Sequence, residues 1–162
     1  MDRFMTEISK IYLEKHIPHI FPVPLIDIAG ALEYKVYYFK ITSENNHISG
    51  AVLYNEKQIL LNPNESPLRN NFTLAHEIGH IILRHYTGNS RHVDTRNDIR
   101  NPPDDQKERD ANEFAAELLM PEDKFIEKWN ESKSMADTAE FFGTSTASTA
   151  VRIQRIGIIY GK

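Results

Sequence analysis

Apolar residues recur every three or four positions through residues 3–16, where Phe4, Ile8, Ile11 and Tyr12 mark one side of an amphipathic helix. The prolines of IPHIFPVP end that pattern, and Pro24 opens a second short helix over 24–33, its fixed φ suiting a first turn. The period then changes. KVYYFKI (35–41), ISGAVLY (48–54) and QILLN (58–62) are short and rich in aromatic or β-branched residues, with polar turns at SENNH and NEK between them. They predict three strands in an antiparallel meander.

Helical spacing returns after Pro67. A long proline-free helix is predicted over 68–85 and another over 106–120, with Pro121 ending the latter and opening a short helix in PEDKFIEKWN. Two further short helices, 134–142 and 146–156, flank Gly143. The polar stretch 86–105 between the two long helices reads as a loop, and its length suggests a wall or lid of a cleft. The expected fold class is α+β: a small three-stranded antiparallel sheet packed on a helical body with a central helix carrying an HExxH motif. Residues 1–130 are expected to form the functional domain. Residues 131–162 are expected to form a helical tail, helix-turn-helix-like, packed on the same domain.

Composition narrows the function classes. The 162-residue chain is 40% hydrophobic and 26% charged, as in ordinary globular proteins. It has no cysteine, which excludes disulfides, thiolate metal sites and cysteine nucleophiles. No apolar run approaches the roughly 18 residues of a membrane helix, and no secretory signal is evident, so a cytoplasmic setting without membrane contact is expected. The net charge of −4 lacks the basic excess of a nucleic-acid binder. From Lys133 to the end, Lys133, Arg152, Arg155 and Lys162 face Asp137 and Glu140, a small excess for DNA contact.

The chemistry concentrates in His76-Glu77-Ile78-Gly79-His80. Residues i and i+4 share a helical face, about 40° apart, so two imidazoles there can reach one Zn²⁺ ion. Glu77, beside them, is placed to take a proton from water as general base. Leu74, Ile78, Ile81 and Ile82 form the opposite, apolar face. A third protein ligand is required. The metzincin pattern would place glycine at 83 and histidine at 86, but the chain has Leu83 and Tyr86. On the next helix, Ala111, Ala115, Leu118 and Leu119 make an apolar stripe that contains Glu108 and Asn112. A carboxylate inside such a stripe is costly unless paired or metal-bound, which points to Glu108 as third ligand, with Asn112 orienting a histidine. The plainer alternative is that Glu108 opens its helix, where the dipole favours a carboxylate. Asp110, Glu113 and Glu117 are assigned to the solvent face by their angles. For the oxyanion, Tyr86, Arg91, His92, Arg96 and Tyr160 are candidates that spacing alone does not separate.

PNESPLRNNFTLAHEIGHIILRH and ERDANEFAAELLMP together resemble the ImmA/IrrE family of metallopeptidases, and the upstream PLIDIAGALEY and ISGAVLY…QILLN segments are similar to that family's N-terminal part. The resemblance spans roughly residues 20–125. It implies gluzincin-like ligation of one zinc ion by His76, His80 and Glu108, and cleavage of a protein substrate, a helix-turn-helix transcriptional repressor of a mobile element or stress response. One departure is Arg84, which stands where a histidine often follows the second ligand by four residues. His85 comes next and, on a continuous helix, would lie on the apolar back face as a structural residue. Two other classes stay open: a metal-binding regulator that acts through protein contacts without turnover, and DNA binding through the C-terminal helices.

Overall fold

The computed structural model describes residues 3–86, 88–95 and 105–158. In chain order the elements are α1 (Met5–Glu14), α2 (Leu25–Ala31), β1 (Lys35–Tyr38), β2 (Ile48–Leu53), β3 (Gln58–Leu61), α3 (Pro67–Ile82), β4 (Arg91–Thr95), α4 (Gln106–Leu119), α5 (Glu122–Ser132), α6 (Met135–Phe142) and α7 (Thr146–Ile156). The helices fall where the periodicity places them. Ser66 caps α3 by accepting a bond from the Arg69 N–H at 3.2 Å, with Pro67 in the first turn. Asp105 caps α4 in the same way through the Lys107 N–H at 2.8 Å.

The α+β class stands, but the three-stranded antiparallel meander does not. The sheet has four strands in the order β1-β3-β2-β4 and is mixed. β2 and β3 form the expected hairpin, whereas β1 runs parallel to β3, with Lys35 opposite Gln58 and Tyr38 opposite Leu61. Residues 39–47 are long enough to carry the chain past β3, which a tight hairpin turn cannot do. The fourth strand lies in the stretch read as a loop. Its polar sequence RHVDT hides it, because among the described residues β4 is an edge strand bonded to β2 alone. A bulge on β2 between Ile48 and Gly50 sets Gly50 opposite Asp94.

The core joins the sheet to the helices. Val52, Ile59 and Leu61 meet Leu74, Ala75 and Ile78 of α3, and behind them lie Phe114, Leu118 and Leu119 of α4. Gly79 lets α3 and α4 approach closely: a Cβ there would sit 3.1 Å from Phe114 Cδ1 and 3.3 Å from the Ala111 carbonyl oxygen. The C-terminal helices contribute Phe142 and Ile153 to the same cluster. No helix among the described residues is long and apolar enough to cross a membrane.

Candidate metal centre

The closely packed pair α3 and α4 brings His76, His80 and Glu108 to one point. His76 Nε2 lies 3.0 Å from His80 Nε2 and 3.0 Å from Glu108 Oε2, and His80 Nε2 lies 3.1 Å from Glu108 Oε1. Glu77 sits beside them on α3, and neither carboxylate oxygen has a hydrogen-bond partner although the side chain is 0% exposed. Gly50 makes room for it, since a Cβ on Gly50 would come within 2.9 Å of Glu77 Oε1.

The imidazoles are oriented from behind. His76 Nδ1 lies 2.8 Å from Asn112 Oδ1, so the ring donates there and keeps an Nε2 lone pair for the centre. Asn112 thus occupies the orienting position its place in the stripe suggests. His80 Nδ1 is held in the same manner by His85 Nδ1 at 2.9 Å. This corrects the expectation that His85 lies far from the ligands. The helix stops at Ile82, and Arg84 adopts φ 55°, in the left-handed region. That turn folds His85 back, and its N–H bonds to the His80 carbonyl at 3.2 Å.

The described residues of the 86–105 stretch place Tyr86, His92 and Asp94 at the cluster. The Tyr86 hydroxyl donates to Glu108 Oε1 at 2.7 Å. His92 Nε2 lies 3.1 Å from the same oxygen and 3.0 Å from Asp94 Oδ1, with its ring stacked on Tyr86. Arg91 is exposed, while Arg96 and Tyr160 lie outside the described residues. Asp94 is the residue the sequence reading missed. Its signal was the alternation in RHVDT, which turns His92 and Asp94 to one side of a strand. Together His76, His80, Asp94 and Glu108 are buried and offer ligand atoms all within 4.8 Å of one another.

The solvent-face assignment on α4 is corrected in two places. Glu117 is buried and ion-paired with Arg152 of α7, which also bonds the Met120 carbonyl at 3.0 Å. Asp110 is buried against Arg3, 2.7 Å away. Both reversals arise because other segments cover α4 on its outer side, which helical angles alone do not reveal. Glu113 is partly exposed, with Arg155 3.3 Å away.

The electrostatics of the cluster follow from crowding carboxylates and imidazoles out of water. Burial drives Glu77 well above the usual carboxylate range, and the charges of Asp94 and Glu108 push it further. Burial works against protonating His76, but the carboxylates of Asp94 and Glu108 outweigh it and lift the ring to about 9. His92 is likewise lifted to about 9 against its burial. Burial lowers His80, and the nearby His76 adds to that. Despite burial, Glu108 is held far below its usual range by bonds from His76, His80 and His92.

These residues fit a metal ion. With the rings unprotonated, two Nε2 lone pairs aimed at each other and at carboxylate oxygens repel, and a metal cation among them removes that repulsion as a proton on His76 otherwise would. Tetrahedral zinc with bonds of about 2.0–2.1 Å sets neighbouring donors about 3.3 Å apart, close to the 3.0–3.1 Å spacings of the His76, His80 and Glu108 atoms. With this geometry in hand, comparison with known families is decisive. The Peptidase_M78 family model, described as the IrrE N-terminal-like domain, matches residues 29–154. The chain belongs to this family. No curated protein matches the chain. The match to the ImmA/IrrE metallopeptidase family bears out the resemblance read from the HEIGH and ERDANEFAAELLMP segments, and it extends over α6 and most of α7. Membership makes the chain a metallopeptidase-family domain, with a buried His, His, Asp and Glu cluster as its candidate metal site.

Proposed function

We propose that the protein is a zinc-dependent endopeptidase in which His76, His80 and Glu108 hold the ion and Glu77 is the general base. The observation that carries this reading is the convergence of the two Nε2 atoms and the Glu108 carboxylate within 3.0–3.1 Å, beside a buried carboxylate without a partner. When bound, zinc supplies Lewis acidity to a carbonyl and lowers the pKa of water at its open position. Glu77 takes the proton released by the attacking water and delivers it to the departing amine. Its raised proton affinity suits it to hold that proton between the two steps. Among the described residues, the Tyr86 hydroxyl and the His92 ring, both at Glu108 Oε1, are donors placed to serve the developing oxyanion. Asn112 and His85 keep the two ligand rings in their tautomers.

By family likeness, the substrate class is a helix-turn-helix transcriptional repressor of a mobile element or stress response, in a cytoplasmic setting. The DNA-binding alternative is weakened by the tail itself. Arg152 is turned inward onto Glu117 and Met120, and Arg155 reaches Glu113, so neither side chain of α7 is a bare cation awaiting phosphate. The tail reads better as helices that complete the peptidase domain.

Glu77→Gln tests the enzymatic reading. It should retain one zinc per chain while cleavage of a helix-turn-helix repressor substrate falls by about 10²–10⁴. Glu108→Ala should lose the metal, and Glu113→Ala should keep it. Undiminished biological activity in Glu77→Gln would show that the protein regulates without turnover.

A further inference from the structure

We propose that Asp94 is a fourth donor to the metal, so that the resting centre is closed and opens only when the β4 carboxylate withdraws. The inference rests on the metal being held by His76, His80 and Glu108, and concerns what fills the remaining position.

Three features of the structure point to it. First, Asp94 Oδ2 lies 3.4 Å from His76 Nε2 and 3.6 Å from His80 Nε2, slightly outside the tighter group formed with Glu108. Second, that oxygen is buried and makes no full hydrogen bond, although Asp94 also faces the buried carboxyl of Glu77, while the other, Oδ1, is held 3.0 Å from His92. A buried anionic oxygen left bare is costly, and a cation shared with the two imidazoles removes the cost. Third, Glu77 is 0% exposed, so the general base has no contact with solvent beside ligands that keep only a narrow exposure. A catalytic zinc site keeps one position for water, whereas four protein donors make a site of the closed, structural kind.

The fold supplies the means of opening. Asp94 sits on a strand that, among the described residues, is bonded only to β2, and it faces Gly50 next to the β2 bulge. A turn of this one side chain, or a small shift of the edge strand, frees the position without disturbing α3 or α4. His76, His80 and Glu108 lie on those two packed helices, so they stay in place. Asp94 is then a latch: it competes with water and with a substrate carbonyl for the same place, and turnover waits on its release.

Asp94→Asn separates ligation from scaffolding, because the amide oxygen keeps the His92 contact while the anionic donor is lost. The probes are Co²⁺ in the full-length chain and acetohydroxamate, which needs an open position. If Asp94 fills that position nine-tenths of the time, its removal strengthens acetohydroxamate binding by about tenfold. Co²⁺ affinity, measured by chelator competition, should fall by about tenfold or more. Equal acetohydroxamate affinity in the two proteins overturns the proposal. The native protein gives a second test should the variant fail to fold. Proton ENDOR of its Co²⁺ form, compared in H₂O and D₂O, should show no exchangeable proton in the first coordination sphere, and a strongly coupled exchangeable signal overturns the latch. Failure of the native chain to take up Co²⁺ at all would sink the metal-site reading and the latch with it.

Discussion

The two nitrogens of His80 have opposite tasks: Nδ1 must keep its proton and donate it in a hydrogen bond so that Nε2 can offer a lone pair. His85 accepts that hydrogen bond, and burial, reinforced by the neighbouring His80, lowers its own basicity and keeps it a neutral acceptor. Replacing it with phenylalanine removes the acceptor while roughly keeping the ring volume. Metal affinity is expected to fall by about 10–100-fold, with partial recovery in His85→Asn, whose amide oxygen can accept the same bond. Chelator competition on the three proteins checks this, and a loss common to both variants would mean that the ring merely fills space. At this scale the sequence was legible where chemistry was written as a pattern. The HExxH spacing drew attention to His76, Glu77 and His80, and a carboxylate inside an apolar stripe drew it to Glu108. His85 was misread because its position depends on where the helix stops, and nothing in HIILRHY forbids one more turn. Asp94 was missed because the alternation in RHVDT carries a single apolar residue, Val93, which is itself exposed, so no buried hydrophobic face marks the strand.

Among the elements, every helix was foreseen to within a few residues, since each is amphipathic and bounded by proline, glycine or a capping side chain. The sheet was half foreseen. Strand pairing is decided by which edges meet in space, and neither the parallel partner of β1 nor the edge strand β4 leaves a local mark. The functional geometry depends most on the contact of α3 with α4, and two glycines test how it is made. At Gly79 a side chain has no room, so Gly79→Val should cost about 1–3 kcal/mol through overpacking. It should also weaken metal binding by moving Glu108 away from the two histidines. At Gly30, in α2, a Cβ would meet nothing within 4 Å. There Gly30→Ala should stabilise by up to about 1 kcal/mol, because alanine loses less backbone freedom in a helix, and metal affinity should not change. Urea midpoints with chelator competition read both quantities. Equal and small effects at the two sites would mean that the helix contact tolerates more space than the distances imply.

Across the whole molecule, the cluster is a source of strain that a metal ion relieves. Asp94, Glu108 and Glu77 are buried together, with two imidazoles, Tyr54 and the rim groups Tyr86 and His92 facing them among the described residues. The same core that holds α3 and α4 together also takes in Phe142 and Ile153 of the tail, so loosening the cluster is felt throughout the structure. A ligand that binds only the folded chain stabilises it by RT ln(1 + [L]/Kd), about 4 kcal/mol when free metal exceeds Kd a thousandfold. For a chain of this length each kcal/mol moves the melting temperature by about 2–4 °C. Stripping the metal with a chelator should therefore lower the melting point by about 8–16 °C, and re-addition of zinc should restore it. The sign is fixed, because the unfolded chain scatters the four donors and binds the ion weakly. Arg152→Ala provides the contrast. It leaves Glu117 buried without its cation and should cost about 3–5 kcal/mol, yet the separation between the metal-loaded and stripped melting points should persist. Glu108→Ala should abolish that separation. A chelator effect of equal size in Glu108→Ala and in the native chain would place the stabilising ion somewhere other than between α3 and α4.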